Sequence, residues 1–268
     1  MDSKIAFLKR IVNFFKNYLL RYPSFVLAYA MAYPQKTYPN SARFYSEHEL
    51  FDQIAKGKSI IRIGDGEIGL LHGRDIHYQP HEKELELGLR KIIKEYTLES
   101  PYILSIPVFV NYTNQELSKT DGKLSCWLPL KVEFRKMFNK DAAYADAHFF
   151  YYRNLMLRFF NEFLQDKHVV FVTNEDANAE IRKTTIPFAS ATYVDTPKEN
   201  SFDKLHNIIA TVDNVLSNLA DKKVVLAIST GPTSKILAKH YAELGYQSFD
   251  IGFGLRYIYD EKDYSNVI

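Results

Sequence analysis

Apolar positions change period repeatedly along this chain, and each change marks an element. Ile5, Leu8, Val12, Phe15 and Leu19 recur at helical spacing, with Lys9, Asn13, Lys16 and Asn17 between them. That pattern predicts an amphipathic helix. From Tyr33 to Ser41 two prolines sit in polar filler and read as a linker. The expected division is an N-terminal segment over 1–41 and a main domain over 42–268. Ser46 and Glu49 spell a capping box opening a helix that ends near Gly57, and the apolar run 58–63 predicts a strand. Helical and strand signals then alternate. Helices are expected over 81–96 (with Pro80 at its opening), over 129–139 starting at Pro129, and over 154–166, 201–220 and 233–244. Strands are expected over 102–107, 168–173, 191–195, 222–229 and 246–252.

Strands separated by helices imply right-handed crossovers and a mainly parallel sheet covered on both faces, a Rossmann-like α/β architecture. Ligands of such sheets bind outside the carboxyl ends of the strands. The loops after Ile63, Thr173, Ser229 and Ile251 are therefore the places to search.

Composition narrows this only modestly. The chain has 268 residues, 46% of them hydrophobic, so it can bury a sizeable core. A net charge of +2 gives no case for nucleic acid. Cys126 is the sole cysteine, which excludes an intramolecular disulfide and a cysteine-based zinc site; it reads as a packed thiol beside Trp127. The first 22 residues carry Lys4, Lys9, Arg10, Lys16 and Arg21, which interrupt every apolar run before the roughly 18 residues a spanning helix needs. A basic helix bearing Phe and Leu suits an anionic membrane surface. Packing on its own domain or on a second subunit is the alternative, and a homo-oligomer is compatible with the chain.

Gly64-Asp65-Gly66-Glu67-Ile68-Gly69 matches the spelling of a dinucleotide loop, yet two carboxylates would repel a pyrophosphate. Context also fails. Gly73 interrupts the stretch before two helical turns, the next strand begins about 40 residues later, and Glu84 and Glu86 fall within a predicted helix. What remains is Asp65 and Glu67, two residues apart on an extended loop, with Gly64 and Gly66 giving clearance. Such a pair can reach a hard divalent cation, Mn2+ or Mg2+, which commonly shares its coordination with substrate phosphates. A solvated Asp-Gly turn is the plainer alternative. A second loop, Thr230-Gly231-Pro232-Thr233, lies between a buried strand and a helix that Thr233 or Ser234 could cap, leaving N–H groups for an anion. Asp250, Glu175 and Asp176 lie at other strand ends. His77 and His81 are separated by Pro80 and do not share a helical face.

Residues 62–79 resemble the strand-loop signature of the GT-D-type glycosyltransferases, and 231–252 resemble that family's second signature, in the expected order. Looser similarity runs over about 43–260. The resemblance implies a Rossmann-like domain that uses a nucleotide-diphosphate sugar, typically a UDP-sugar, with a divalent metal. The acceptor would be a glycan, glycoprotein or lipid-linked molecule of bacterial surface glycan synthesis. It maps metal and donor-phosphate ligands onto Asp65 and Glu67, the Gly-Pro-Thr turn onto Gly231, Pro232 and Thr233, and further site positions onto Gln79 and Asp250. Phe253 stands where the family commonly has a histidine, and His148 where an arginine is expected. Asp250 and Glu175 are the nominees for the base. A cytoplasmic enzyme held by its N-terminal helix at the inner membrane face would follow. A non-catalytic nucleotide-sugar-binding subunit and a metal-dependent phosphohydrolase are the alternative readings.

Overall fold

The computed structural model describes residues 41–119, 124–184, 188–219 and 223–256, together with Pro23. The N-terminal helix and linker expected from the sequence lie outside these residues, as does the side chain of Cys126. Among the described residues, no helix is long and apolar enough to cross a membrane.

The strands are β1 (Arg43–Phe44), β2 (Ser59–Arg62), β3 (Tyr102–Ile106), β4 (Ala143–Asp146), β5 (His168–Asn174), β6 (Ser190–Thr196), β7 (Val224–Ser229) and β8 (Gln247–Asp250). They form one parallel sheet in the order β1-β4-β3-β2-β8-β7-β5-β6. The central strands are buried on both faces, which is why they read as apolar runs without alternation. The helices are α1 (Glu47–Ala55), α2 (Asp65–Leu71), α3 (Lys83–Glu95), α4 (Asn114–Ser118), α5 (Leu124–Met137), α6 (Arg153–Phe159), α7 (Glu175–Ile181), α8 (Leu205–Ser217) and α9 (Thr233–Glu243).

One face of the sheet is packed by Leu70, Leu89, Leu128, Val212 and Leu237, from α2, α3, α5, α8 and α9. The other is packed by α1, α6 and α7 through Phe51, Phe159 and Ile181, together with Phe149 and Phe150. On that second face Phe159 meets Phe249 edge-on at 4.8 Å and Phe150 at 5.2 Å, so much of the aromatic content serves packing. The chain leaves β7 through α9 on the first face and leaves β5 through α7 on the second. These two strands are neighbours. Their connections diverge, and a crevice opens at their carboxyl ends, the usual place for a ligand in such sheets.

Several elements depart from the sequence reading. The Asp65–Glu67 stretch is not an extended loop: helix α2 starts at Asp65 and runs to Leu71. Both acids lie in its first turn, where the helix dipole favours them, and Glu67 Oε2 accepts the Gly64 N–H at 2.8 Å. Buried Ile68, Leu70 and Leu71 hold the short helix against the core. Helix α5 starts five residues before Pro129 and carries the proline within it; buried Leu128 and Leu130 on either side anchor it there. Helix α3 begins at Lys83, not directly after Pro80. The helix expected over 154–166 is α6 followed by a π turn, Phe160–Leu164. Strand β4 and helix α7 are additions.

A polar cluster supports the outer side of α3. Glu86 is 7% exposed and is held by Arg90 Nε at 2.8 Å, His81 Nε2 at 2.9 Å and Lys83 Nζ at 3.1 Å. Burial would raise its pKa, but these hydrogen bonds outweigh burial and bring it down to about 2. A depressed carboxylate stabilises the fold above its unfolded pKa and loses that contribution as pH falls through the folded one. Glu86→Gln is therefore expected to cost about 2 kcal/mol at pH 7. In urea denaturation the gap to the wild type should close between pH 4 and pH 2.

Candidate active site

Two helix N-termini and the end of a strand meet at the carboxyl edge of the sheet. Lys235 is the third residue of α9, and its Nζ lies 3.0 Å from Asp250 Oδ2 and 3.1 Å from Glu67 Oε1. It also donates to the Gly231 carbonyl at 3.3 Å. Asp250 Oδ2 accepts the Arg62 backbone N–H at 3.0 Å, and Arg62 Nε lies 3.9 Å away. Arg62 Nη1 donates to the Ala147 carbonyl at 3.2 Å, and its guanidinium lies 5.2 Å from the centre of the Tyr151 ring. Two carboxylates and two cations thus neutralise each other in a site where all four are less than one-tenth exposed.

The electrostatics follow from this arrangement. Burial lowers the Lys235 pKa, but Asp250 and Glu67 outweigh burial and hold it above the ordinary lysine value. Burial raises the Glu67 carboxyl, but Lys235 and the Gly64 N–H bring it below the ordinary glutamate value. A lysine so near a helix N-terminus opposes the dipole, and the two carboxylates make that tolerable.

The cluster floors a cavity of about 690 Å³. Its walls include Gly64, Asp65, Gly66 and Glu67 after β2, Asn174 at the end of β5, Ser229 at the end of β7, and Thr230 and Gly231 after it. Lys198 and Ser201 close one end, and Trp127, His148 and Tyr151 the other. Two glycines allow the backbone to fit here. Gly231 has φ +61° with the Tyr78 ring against it, and Gly252 has φ +54° with the Arg62 guanidinium against it. A Cβ at Gly252 would lie 1.7 Å from Arg62 Nη2.

The expected site residues separate into groups. Gly64, Asp65, Gly66, Glu67, Gln79 and Gly231 all line the cavity. Gln79 is a brace between loops: its Oε1 accepts the Phe202 N–H at 3.3 Å, and its Nε2 donates to Glu82 at 2.9 Å. Asp250 is fully buried beneath the cavity as the anchor of the cluster. Pro232 holds the N-cap position of α9 without a side-chain hydrogen bond, so neither Thr233 nor Ser234 caps the helix as expected; both lie in its first turn and are fully buried. Ser234 Oγ accepts the Thr230 N–H at 2.7 Å, so it closes its own turn. Glu175 is exposed at the start of α7 and is absent from the cavity walls; Asp176 pairs with Lys198. Arg62, Lys235, Asn174 and His148 were not singled out from sequence as chemical groups. A charged residue ending the apolar strand "SIIR" was the available signal for Arg62.

The donor set can be weighed for a metal. Asp65 is exposed on the cavity wall, with no ion-pair partner among the described residues, while Glu67 Oε1 is shared with Lys235. Among those residues no three His, Cys, Asp or Glu side chains are grouped to hold a metal. Two hard oxygen donors beside an open cavity suit a cation whose shell is completed by water and phosphate, not one caged by protein alone.

Comparisons agree with the fold. Among solved structures, one described as domain of unknown function 1792 in selenomethionine form matches with a TM-score of 0.67. It is 18% identical, and 91% of this chain and 85% of that one are covered. Another, described as a new glycosyltransferase (DUF1792) from Streptococcus sanguinis, matches with a TM-score of 0.64 at 20% identity, covering 85% of both chains. Two curated relatives also match over 74% of this chain. They are a probable glycosyl transferase Gly of Streptococcus gordonii, 25% identical, and glycosyltransferase GlyD of Streptococcus pneumoniae, 22% identical. This chain spans only 30% and 25% of their respective lengths. The model of the family described as glycosyltransferase GT-D fold matches residues 60–258. The chain belongs to the GT-D-fold glycosyltransferase family.

Proposed function

We propose that this chain transfers a sugar from a nucleotide-diphosphate donor, a UDP-sugar, to a hydroxyl of a glycan, glycoprotein or lipid-linked acceptor. The observation that carries this is the cavity at the divergence of β5 and β7, with an open Asp65 above a charge-neutral Glu67–Lys235–Asp250–Arg62 cluster. The nucleoside would occupy the end near Asn174, Lys198 and Ser201, where hydrogen-bonding groups and a cation line the wall. Gly231 lets the backbone after β7 lie close to the donor. Asp65, with Glu67 beside it, would hold Mn2+ or Mg2+. Such an ion neutralises the charge that develops on a departing diphosphate. Lys235 and Arg62 supply fixed positive charge under the same region and keep the Glu67 carboxylate oriented. The basic amphipathic segment 1–22 is the part proposed to rest on the inner face of an anionic membrane, where surface-glycan acceptors would be met.

The test is release of UDP from UDP-glucose, UDP-galactose and UDP-N-acetylglucosamine, with manganese or with EDTA. Sugar transfer that rises with manganese supports the reading. Manganese-dependent UDP affinity without turnover would make the chain a binding subunit, and inorganic phosphate release regardless of acceptor would make it a phosphohydrolase.

A further inference from the structure

Transfer to a hydroxyl releases a proton, and the carboxylates nominated from sequence are poorly placed to take it. Asp250 is fully buried and engaged with two cations, while Glu175 lies outside the cavity wall. The opposite end of the cavity, over β3 and β4, offers a better group. Asp146 is the last residue of β4, and His148 follows it by two positions. Asp146 Oδ1 accepts the His148 backbone N–H at 3.1 Å and lies 3.3 Å from the ring Nδ1. The peptide between them is pinned, because Arg62 Nη1 donates to the Ala147 carbonyl. The ring itself is wedged among Phe109, Trp127 and Tyr151, with centroids 5.5, 5.9 and 5.6 Å away. It is 8% exposed, and it lines the cavity. With Nδ1 beside Asp146, Nε2 is the nitrogen left for a ligand. The 3.3 Å contact falls short of good hydrogen-bond alignment, a common state for catalytic pairs before substrate tightens them.

We propose that His148 is the general base of this enzyme and that Asp146 is its positioning carboxylate. The inference rests on the nucleotide-sugar reading above. The acceptor oxygen forms a bond to the anomeric carbon while the bond from that carbon to the diphosphate oxygen breaks. The electron pair leaves with the nucleoside diphosphate, and the hydroxyl proton passes to His148 Nε2. Asp146 stabilises the imidazolium, as an orienting carboxylate does in other acid–base pairs. Among the described residues, the charged and titratable groups around the pair are Arg62 from β2 on the Ala147 carbonyl, Tyr151 against the His148 ring, and Tyr152, which feels the Asp146 charge. Phe109 and Trp127 add uncharged walls. Among the described residues Trp127 Nε1 is buried without a hydrogen-bond partner, which leaves a donor at the same end of the cavity for an acceptor oxygen.

The experiment compares wild type, His148→Gln and Asp146→Asn in UDP release from the three UDP-sugars. The acceptors are water and p-nitrophenyl N-acetylglucosaminide, and UDP affinity is measured in parallel by calorimetry. His148→Gln should lower kcat by about 10²- to 10⁴-fold, with UDP affinity unchanged. It should also remove the acid limb that the wild-type kcat–pH profile shows. Asp146→Asn should keep a weakened acid limb. The proposal is overturned if His148→Gln keeps kcat within about threefold or retains the acid limb. It is also overturned if its UDP affinity falls in step with kcat, because the ring would then serve donor binding or structure. A wild-type protein that binds no UDP removes the donor reading itself. One that binds UDP without turnover leaves the donor site standing and removes the base.

Discussion

Lys235→Met is expected to cost about 3–5 kcal/mol of stability, because it strands two buried carboxylates without their shared cation. In a chain of this size that is a fall in Tm on the order of 10 °C. The pH dependence identifies the cause. Glu67 is held below its ordinary value, so in the wild type its contribution is present above the unfolded pKa and is lost as pH falls through the folded one. Without the ammonium, Glu67 can take up a proton instead of remaining a buried anion. The deficit should therefore be largest near neutrality and shrink below about pH 4. Chemical denaturation from pH 3 to pH 8 measures it. The double variant Lys235→Met/Glu67→Gln should recover part of the loss, since the two residues share one interaction. An unchanged Tm in the single variant would mean that the cluster is not held as described.

Asp65→Ala should have the opposite profile. Asp65 is exposed in the first turn of α2 and has no ion-pair partner among the described residues, so its removal should cost under about 1 kcal/mol. Under the proposed function it should nevertheless remove manganese-stimulated UDP affinity, by tenfold or more in calorimetry. Glu67→Ala is the less informative partner. It would leave Lys235 without one of its two counter-ions and lose the Glu67 bond to the Gly64 N–H, so stability and affinity would fall together. Manganese-stimulated affinity that survives in Asp65→Ala would remove Asp65 from the donor site.

The sequence made the sheet legible where strands were buried on both faces. "SIIR", "YILSI", "HVVFVTN" and "VVLAIS" read as strands because their apolar runs are unbroken. Strand β4 was hidden because "AYAD" is short, rich in alanine and flanked by residues that suit a helix. With β4 hidden, the loop after it is not among the strand ends to search, and His148 stands out only as a departure from the family's arginine, not as a partner of Asp146. Spelling favours an extended Asp65–Glu67 loop because Gly73 interrupts the stretch before two helical turns. The helix that forms is short and ends at Leu71, before Gly73; burial of Ile68, Leu70 and Leu71, with Glu67 accepting the Gly64 N–H, is enough to hold it. Lys235 was legible only as one more basic residue on an amphipathic helix. Its meaning depends on Glu67 and Asp250, which come from elements distant in sequence, and no local pattern carries that information.

Under the proposed function a nucleoside diphosphate binds at the carboxyl edge of the sheet, across the ends of β2, β5 and β7. Hydrogen–deuterium exchange on the full chain, with and without UDP and manganese, reads this directly. Slowed exchange is expected in 63–71, 174–178 and 229–236, with no change around the Glu86–Arg90 cluster on α3. Protection confined to that cluster, or absent from all three segments at saturating UDP, would mean that no nucleoside diphosphate binds at this edge.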